Sequence, residues 1–382
     1  MKLCRYLLIF ILSAVILLLT GCWDYREVEN MYIVGGIAID KGIQGHKYHL
    51  TFEVLDLAGG QQSSSMKGKL LESEGDSIAD AVGAVTKSSD KALYLSDCKV
   101  VIFSEDIAAE GMTPVLDWFN REPQPRFTVQ LFVSQERTAG EILKGTGDGQ
   151  EVASFDISKL IEESYSQWGK NSPVRLNEAD SLLWGQGKDL TLPCLHFNME
   201  QNQKQIELDG TAVFKGDKYT GLLTEEQSQF FLFASDNIQG GMLLTGEKPD
   251  DTDICLHIQK SSTDVSSNIL GNNIQMDLKT KVKATFDEEN TSENYLKEFG
   301  VGTIEKFAEA TLEKKIKETI QTEQSKFGSD IFGFGKEIHE KNPTAWKNLG
   351  QDWNRYYRNV NCKVTAQVQI TNSGFAFPKG NV

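Results

Sequence analysis

The sequence predicts an α+β protein of several domains, with mixed and antiparallel sheets packed against helices. Three observations carry this reading. Segments 31–39 and 47–55 are rich in β-branched and aromatic residues and flank a turn at Asp40-Lys41-Gly42 and Gly45. Helical and strand patterns then alternate to about residue 240. The last third runs strands first, then helices, then a returning strand, the order of an α+β domain. The boundaries drawn are 1–21 as a signal peptide, 22–200 as an N-terminal α/β domain, 201–240 as a middle hairpin-plus-helix sharing strands with its neighbours, and 241–382 as a C-terminal α+β domain. A length of 382 residues suggests two or three domains on a soft prior of about 150 residues each.

Lys2 and Arg5 precede an apolar stretch from Tyr6 to Leu19 broken only by Ser13, which is a signal-peptide layout. That stretch is shorter than the roughly 20 residues a membrane-spanning helix needs, and no basic stop-transfer flank follows. It ends in Leu19-Thr20-Gly21-Cys22, four residues that resemble the bacterial lipobox. The resemblance implies cleavage between Gly21 and Cys22, a diacylglyceryl group on the Cys22 sulfur, and a mature chain anchored on the outer face of a cytoplasmic membrane. Two acyl chains hold firmly where one binds only marginally.

In the mature chain, 31–39 and 47–55 read as a hairpin, and Gly/Ser-rich 58–69 as a loop. Ile78, Ala81, Val82 and Val85 mark a helix within 76–89, followed by a short buried strand at 99–103. A helix over 106–120 tolerates Gly111 and Pro114. The break Glu122-Pro-Gln-Pro125 then leads into an alternating strand at 126–134, and a short helix at 138–144 stops at the glycine cluster 145–149. That cluster lacks the Lys-Ser/Thr of a phosphate-binding loop and follows a helix, so it reads as a plain loop.

Helices at 154–168 and 176–184 lead to strands at 190–198 and 206–215. Gly216-Asp217 turns the chain into a second short strand, and Thr224, with Glu225 and Glu226 behind it, caps a helix to about Ala234. Strands follow at 253–259 and 273–286, the latter placing Ile274, Met276, Leu278, Val282, Ala284 and Phe286 on one face. Ile304, Phe307, Ala308, Leu312, Ile316 and Ile320 form the stripe of a long helix over 302–327. The segment 330–335 separates it from helices near 336–341 and from Asn342-Pro343 onward, the latter carrying Trp346, Trp353 and Tyr357. An alternating strand at 361–371 closes the chain.

A formal charge of −15, about −17 once Lys2 and Arg5 leave with the signal peptide, argues against nucleic acid as a partner. By the same argument the body as a whole is repelled by anionic lipid, leaving the acyl group as the membrane attachment. Cys98, Cys194, Cys255 and Cys362 are scattered and read as buried small hydrophobes, with one or two bridges left open. His46, His49, His196, His257 and His339 form neither HExxH nor HxH, so no metal or other cofactor is expected. No GxSxG elbow is present, and the SxxK matches at Ser88 and Ser96 lack the SDN and KTG partners of a transpeptidase. No catalytic residue is assigned.

Four segments together resemble one family. They are Cys22-Trp23-Asp24-Tyr-Arg-Glu-Val-Glu-Asn with Val34-Gly-Gly-Ile-Ala-Ile-Asp40; Gly210-Thr-Ala-Val-Phe214-Lys with Asp217-Lys218 and Gly221; Asp330-Ile-Phe-Gly333-Phe-Gly335; and Trp346 in Asn342-Pro-Thr-Ala-Trp. In order and spacing they are similar to the C subunits of bacterial spore germinant receptors, the Ger(x)C lipoprotein family. One departure is Phe230-Phe-Leu-Phe233, where that family often has Gly and then Trp. The resemblance implies three mixed α/β domains on separate sheets and a non-enzymatic, lipid-anchored subunit at the inner membrane of the spore. It also implies integral-membrane A and B subunits as partners. Two other classes stay open: an extracytoplasmic solute-binding lipoprotein, which needs two similar hinged lobes, and a cell-wall-modifying enzyme, which needs a nucleophile with a base.

Overall fold

The computed structural model describes residues 5–6, 30–43, 45–56, 67–89, 91–145, 152–200, 203–271, 273–289 and 300–372. Gly21, Cys22, Trp23 and Asp24 lie outside them, as do 58–66 of the expected Gly/Ser loop and 146–149 of the glycine cluster.

The N-terminal hairpin forms as its turn chemistry predicts, with β1 (Met31–Lys41) antiparallel to β2 (Tyr48–Asp56). Where the expected loop was carried to residue 69, the chain is already in strand: β3 (Lys67–Gly75) pairs with β2 along its whole length. Its half-buried, charge-bearing sequence KGKLLESEG hides the alternation. Ser77 caps α1 (Ile78–Ser88), its Oγ accepting from Asp80 N at 3.1 Å. Short β4 (Ala92–Tyr94) and β5 (Val100–Ser104) then pair parallel to β1.

The helix expected over 106–120 is two, α2 (Glu105–Glu110) and α3 (Thr113–Arg121), divided at Gly111, whose φ is +128°. The next strand, β6 (Gln130–Ser134), is shorter than the alternating strand expected from residue 126. It is buried on both faces, as a central parallel strand must be, so it shows no polar face. Beyond it come α4 (Ala139–Lys144), α5 (Ala153–Gln167), α6 (Leu176–Trp184) and β7 (Thr191–Glu200), then the hairpin β8 (Gln203–Lys215) and β9 (Lys218–Leu223).

These strands form one nine-stranded sheet in the order β3-β2-β1-β5-β6-β7-β8-β9, with β4 paired to β1. The middle is parallel and both ends are antiparallel hairpins. Helices α1, α2, α3 and α6 cover one face, while α4 and α5 cover the other. Two carboxylates fix that second layer. Asp40, at the end of β1, accepts from Ala139 N (2.6 Å) and Gly140 N (2.9 Å) at the start of α4. Glu53 on β2 accepts from Ala153 N and Ser154 N at the start of α5, both at 2.8 Å. Burial pushes both carboxyls above their ordinary values, and the helix-terminal donors oppose it. Gly36 admits α5 to the sheet, since a Cβ there would lie 2.7 Å from Ser154 Cβ.

α7 (Glu225–Ala234) is capped as read, Thr224 and Gln227 exchanging side-chain and backbone bonds. All of Phe230-Phe-Leu-Phe233 is buried, Phe231 packing edge-on to Phe332 at 5.7 Å, so the departure from the family pattern is absorbed into a core. A second sheet, β10-β11-β12-β13, follows from β10 (Met242–Thr245), β11 (Ile254–Leu270), β12 (Asn273–Glu289) and β13 (Asn361–Asn372). β11 runs eleven residues past the expected end at Gln259, because its polar KSSTDVSSN stretch stays paired to β12 through Leu270. The alternation read on β12 holds through its charged middle, where Thr280 takes the buried position between Leu278 and Val282.

Helix α8 (Val301–Lys326) lays the predicted stripe on this sheet, with Phe307 half-buried and the other five fully buried. It also closes the free edge of β13. Glu305, Glu309 and Glu313 accept from Ile370 N (2.8 Å), Val368 N (3.0 Å) and Ala366 N (2.9 Å). The match is geometric. Four residues of helix advance about 6 Å, and two residues of strand about 6.7 Å. Helices α9 (Phe334–Lys341), α10 (Pro343–Leu349) and α11 (Trp353–Tyr357), with a 3-10 turn at Gly350–Asp352, complete the core. The named strands thus fall on two sheets, and the middle hairpin continues the first through its pairing with β7.

Candidate functional site

Most of the motif residues that lie among the described ones converge where the two sheets meet. The segment 330–335 folds over one carboxylate. Asp330 is fully buried and accepts from Gly333 N (2.8 Å), Phe334 N (3.0 Å), Gly335 N (2.6 Å) and Trp353 Nε1 (2.8 Å). Gly333 supplies the turn, with φ at +80°. Gly335 is the second residue of α9. Its lack of a side chain serves contact, since a Cβ there would lie 2.6 Å from Trp353 Nε1 and 2.8 Å from Gly187 Cα.

The loop between α6 and β7 clasps this segment from the first sheet. Asp330 N donates to Asp189 Oδ2 and Asp189 N to Asp330 O, both at 2.8 Å. Asp189 Oδ1 accepts from Gly216 N at 3.0 Å, which ties in the β8–β9 turn. Lys336 N donates to Gly187 O at 2.8 Å, and Trp346 Nε1 to Gln186 Oε1 at 2.9 Å. The middle motif meets the same seam: Ser329 Oγ donates to Phe214 O, and Gly221 makes room for the Phe327 ring, where a Cβ would sit 2.2 Å from Cε1.

Two motif residues stand apart. Gly210, at φ +74°, lets β8 approach β9, since a Cβ would lie 2.3 Å from Leu223 O. Lys218 is exposed on β9. Its neighbour Asp217 docks on the α2–α3 break, accepting from Met112 N at 2.9 Å through its backbone carbonyl.

Behind Asp330 lies a second buried acid. Glu323 Oε1 accepts from Ser329 N at 2.7 Å, and Tyr357 donates its hydroxyl to Glu323 Oε2. Burial dominates both carboxyls, pushing Asp330 up to about 6 and Glu323 up to about 8 against the donors that pull them down. Burial also raises Tyr357, and it lowers Lys188, whose stem packs near Gly333. A cleft of about 780 Å³ opens beside the seam, bounded by Gln186, Lys188, Trp346, Asp352 and Arg355 among others.

Sequence reasoning singled out Asp330, Gly333, Gly335 and Trp346 and missed Asp189 and Glu323. Glu323 had a signal: it continues the Ile316, Ile320 stripe of α8, where a carboxylate must be buried. Asp189 had none, because its partners are 27 and 141 residues away.

The chemistry of this seam is cohesive. Its carboxyl groups are each engaged by at least two hydrogen-bond donors, and the Ser329 hydroxyl is committed to a carbonyl. Among the described residues no three His, Cys, Asp or Glu side chains group as metal ligands, and Cys98, Cys194, Cys255 and Cys362 are unbridged. Ser88 ends α1, and Ser96 lies between β4 and β5, away from the seam. The two sheets differ in strand number and order, so the two like lobes of a solute-binding protein are not present among the described residues.

Comparison with known proteins bears on the whole chain. Residues 24–197 match the family "Spore germination protein N-terminal domain", and 209–374 match "Spore germination B3/GerAC like, C-terminal". Spore germination protein B3 of Bacillus subtilis is 24% identical over 367 residues, covering 94% of this chain and 96% of that one. Spore germination protein GerQC of Bacillus cereus is 25% identical over 377 residues, covering 97% and 99%. Spore germination protein KC of Bacillus subtilis is 22% identical over 394 residues, covering 97% and 96%. The crystal structure of the GerBC protein superposes with a TM-score of 0.58 at 18% identity, covering 88% of this chain and 97% of that one, a likeness of fold. With both halves matched in order, the chain belongs to the Ger(x)C family, the C subunits of spore germinant receptors.

Proposed function

We propose that this chain is the lipid-anchored, non-catalytic subunit of a nutrient germinant receptor. It is held through Cys22 on the outer face of the cytoplasmic membrane, the inner membrane of the spore, and assembles there with integral-membrane A and B subunits. The observation that carries the reading is at the N-terminus: the family match starts at residue 24, two residues after the lipobox cysteine. The processed chain would therefore begin where the family's own domain begins. A scaffolding role, not a catalytic one, fits a seam whose polar groups are spent on holding two sheets together.

The test is affinity purification of the tagged chain from detergent-solubilised spore membranes, with mass spectrometry of its N-terminus. The reading expects a diacylglyceryl-modified Cys22 and two co-purifying integral-membrane proteins. In Cys22→Ala it expects an uncleaved, unlipidated precursor. An unmodified Cys22 in the wild-type chain overturns the anchor, and recovery of the chain alone overturns the assembly.

A further inference from the structure

At the point where the chain enters the first sheet, lysines from separate elements gather on one aromatic ring. Lys69 on β3 and Lys91, just before β4, place their ammonium groups 5.4 and 5.6 Å from the centroid of Tyr32 on β1. Each gains from the ring's negative face, which offsets part of the cost of holding two like charges together. Lys67 is exposed on the same face of β3 as Lys69, and Lys87 lies in the last turn of α1, four residues before Lys91. None of these four lysines has a carboxylate within ion-pair distance among the described residues, whereas Glu72, farther along β3, is paired with Lys144 at 2.8 Å. Asp56 stands opposite Lys67 in the β2–β3 register, so Lys69 and Lys91 are the cations that set this surface apart in a chain with a formal charge of −15.

Position identifies the partner. Cys22 precedes Met31 by nine residues, which span at most roughly 30 Å fully extended. A bilayer anchored at Cys22 is therefore within reach of Tyr32. Distant carboxylates do not cancel the attraction, because salt screens charges beyond about 8 Å at physiological ionic strength. Net charge predicts repulsion from anionic lipid, but the local arrangement governs a surface held at that range.

We propose that Lys69 and Lys91 over Tyr32, with Lys67 exposed on the same face of β3, form a docking surface for the anionic head groups of the membrane, orienting the first sheet against the bilayer. The proposal rests on the anchor reading for its geometry, and its test is separable from it. The probe is the chain from residue 22 onward carrying Cys22→Ser, unlipidated and retaining every residue of both sheets. Its partitioning is measured onto vesicles of phosphatidylcholine alone and onto vesicles with 40% phosphatidylglycerol. Three forms are compared: the parent, Lys69→Gln/Lys91→Gln, and, as a charge-matched control on the second sheet, Lys260→Gln/Lys281→Gln.

The parent should prefer the anionic vesicles, and the preference should fade at high salt. At about fivefold per surface lysine, the Lys69→Gln/Lys91→Gln form should bind roughly 25-fold more weakly, and the control should match the parent. Circular dichroism melting confirms that all three are folded. No preference for anionic lipid, as would follow if Asp24, Glu27 and Glu29 neutralise the patch, overturns the proposal, and so does equal loss in both double variants. A patch that binds while mass spectrometry finds Cys22 unmodified leaves the docking surface standing and removes the anchor.

Discussion

Glu323→Gln should flatten the pH dependence of stability, and the size of the effect follows from the seam. The wild-type carboxyl is buried against Tyr357 and Ser329 and titrates at about 8 when folded, against an ordinary value of 4.5. A raised acid binds its proton more tightly in the folded state, so the stability it confers is fully present below pH 4.5 and is lost as pH rises through 8. Integrated from pH 5 to pH 9, this group alone removes about 4 kcal/mol from the unfolding free energy, more than half of it between pH 5 and pH 7. The substituted amide has no such titration, yet its oxygen can still accept from Ser329 N and its NH2 group can still donate to the Tyr357 oxygen. Urea unfolding at pH 5, 7 and 9 measures both forms. The wild type should lose several kcal/mol across that range and the variant much less, with a residual slope below pH 6 from Asp330, whose folded value is also raised. Parallel curves would refute the account of Glu323 as a protonated buried acid.

Asp330→Asn turns an amide toward backbone and indole N–H groups that now share the carboxylate, and two unmet donors at about 1 to 3 kcal/mol each should lower the urea midpoint clearly. Gly333→Val forces a β-branched residue into φ +80° and should cost on the order of 1 kcal/mol or more, while Gly335→Val should destabilise by collision with Trp353; unchanged melting curves in both would count against the reading. Inserting about twenty Gly/Ser residues after Asp24 should preserve folding and lipidation while slowing germination, because a long flexible tether lowers the effective concentration at the docking surface. Normal germination rates with the insert would show that affinity for the partner subunits alone positions the body.

Local order was legible wherever a local cause set it. The Thr224 cap, the α8 stripe and the alternation of β12 each repeat at the period of their element, so a single window reveals them. β3 and the far half of β11 were missed because their sequences are polar, and what makes them strands is a partner, β2 in one case and β12 in the other. The seam was legible as isolated signs. Asp330, the glycines and Trp346 stood out by composition, but the Asp189 loop that completes them lies 141 residues from Asp330, and no periodicity spans that distance. The basic patch escaped for a related reason: a net charge sums over the chain and cannot see three elements meeting on one ring.

The glutamates of α8 that hold the edge of β13 also set how this protein can meet another. A bare strand edge is a template, and any extended segment with matching donors and acceptors can add to it, another copy of the same chain included. Glu305, Glu309 and Glu313 occupy the donors of that template with side chains that offer no continuing ladder, so growth of the second sheet stops there. If the chain is anchored to a membrane as proposed, where neighbours are crowded into two dimensions, this removes a route to filaments. It also means that a partner recruited by strand addition finds the Ala366–Ile370 stretch of β13 already occupied.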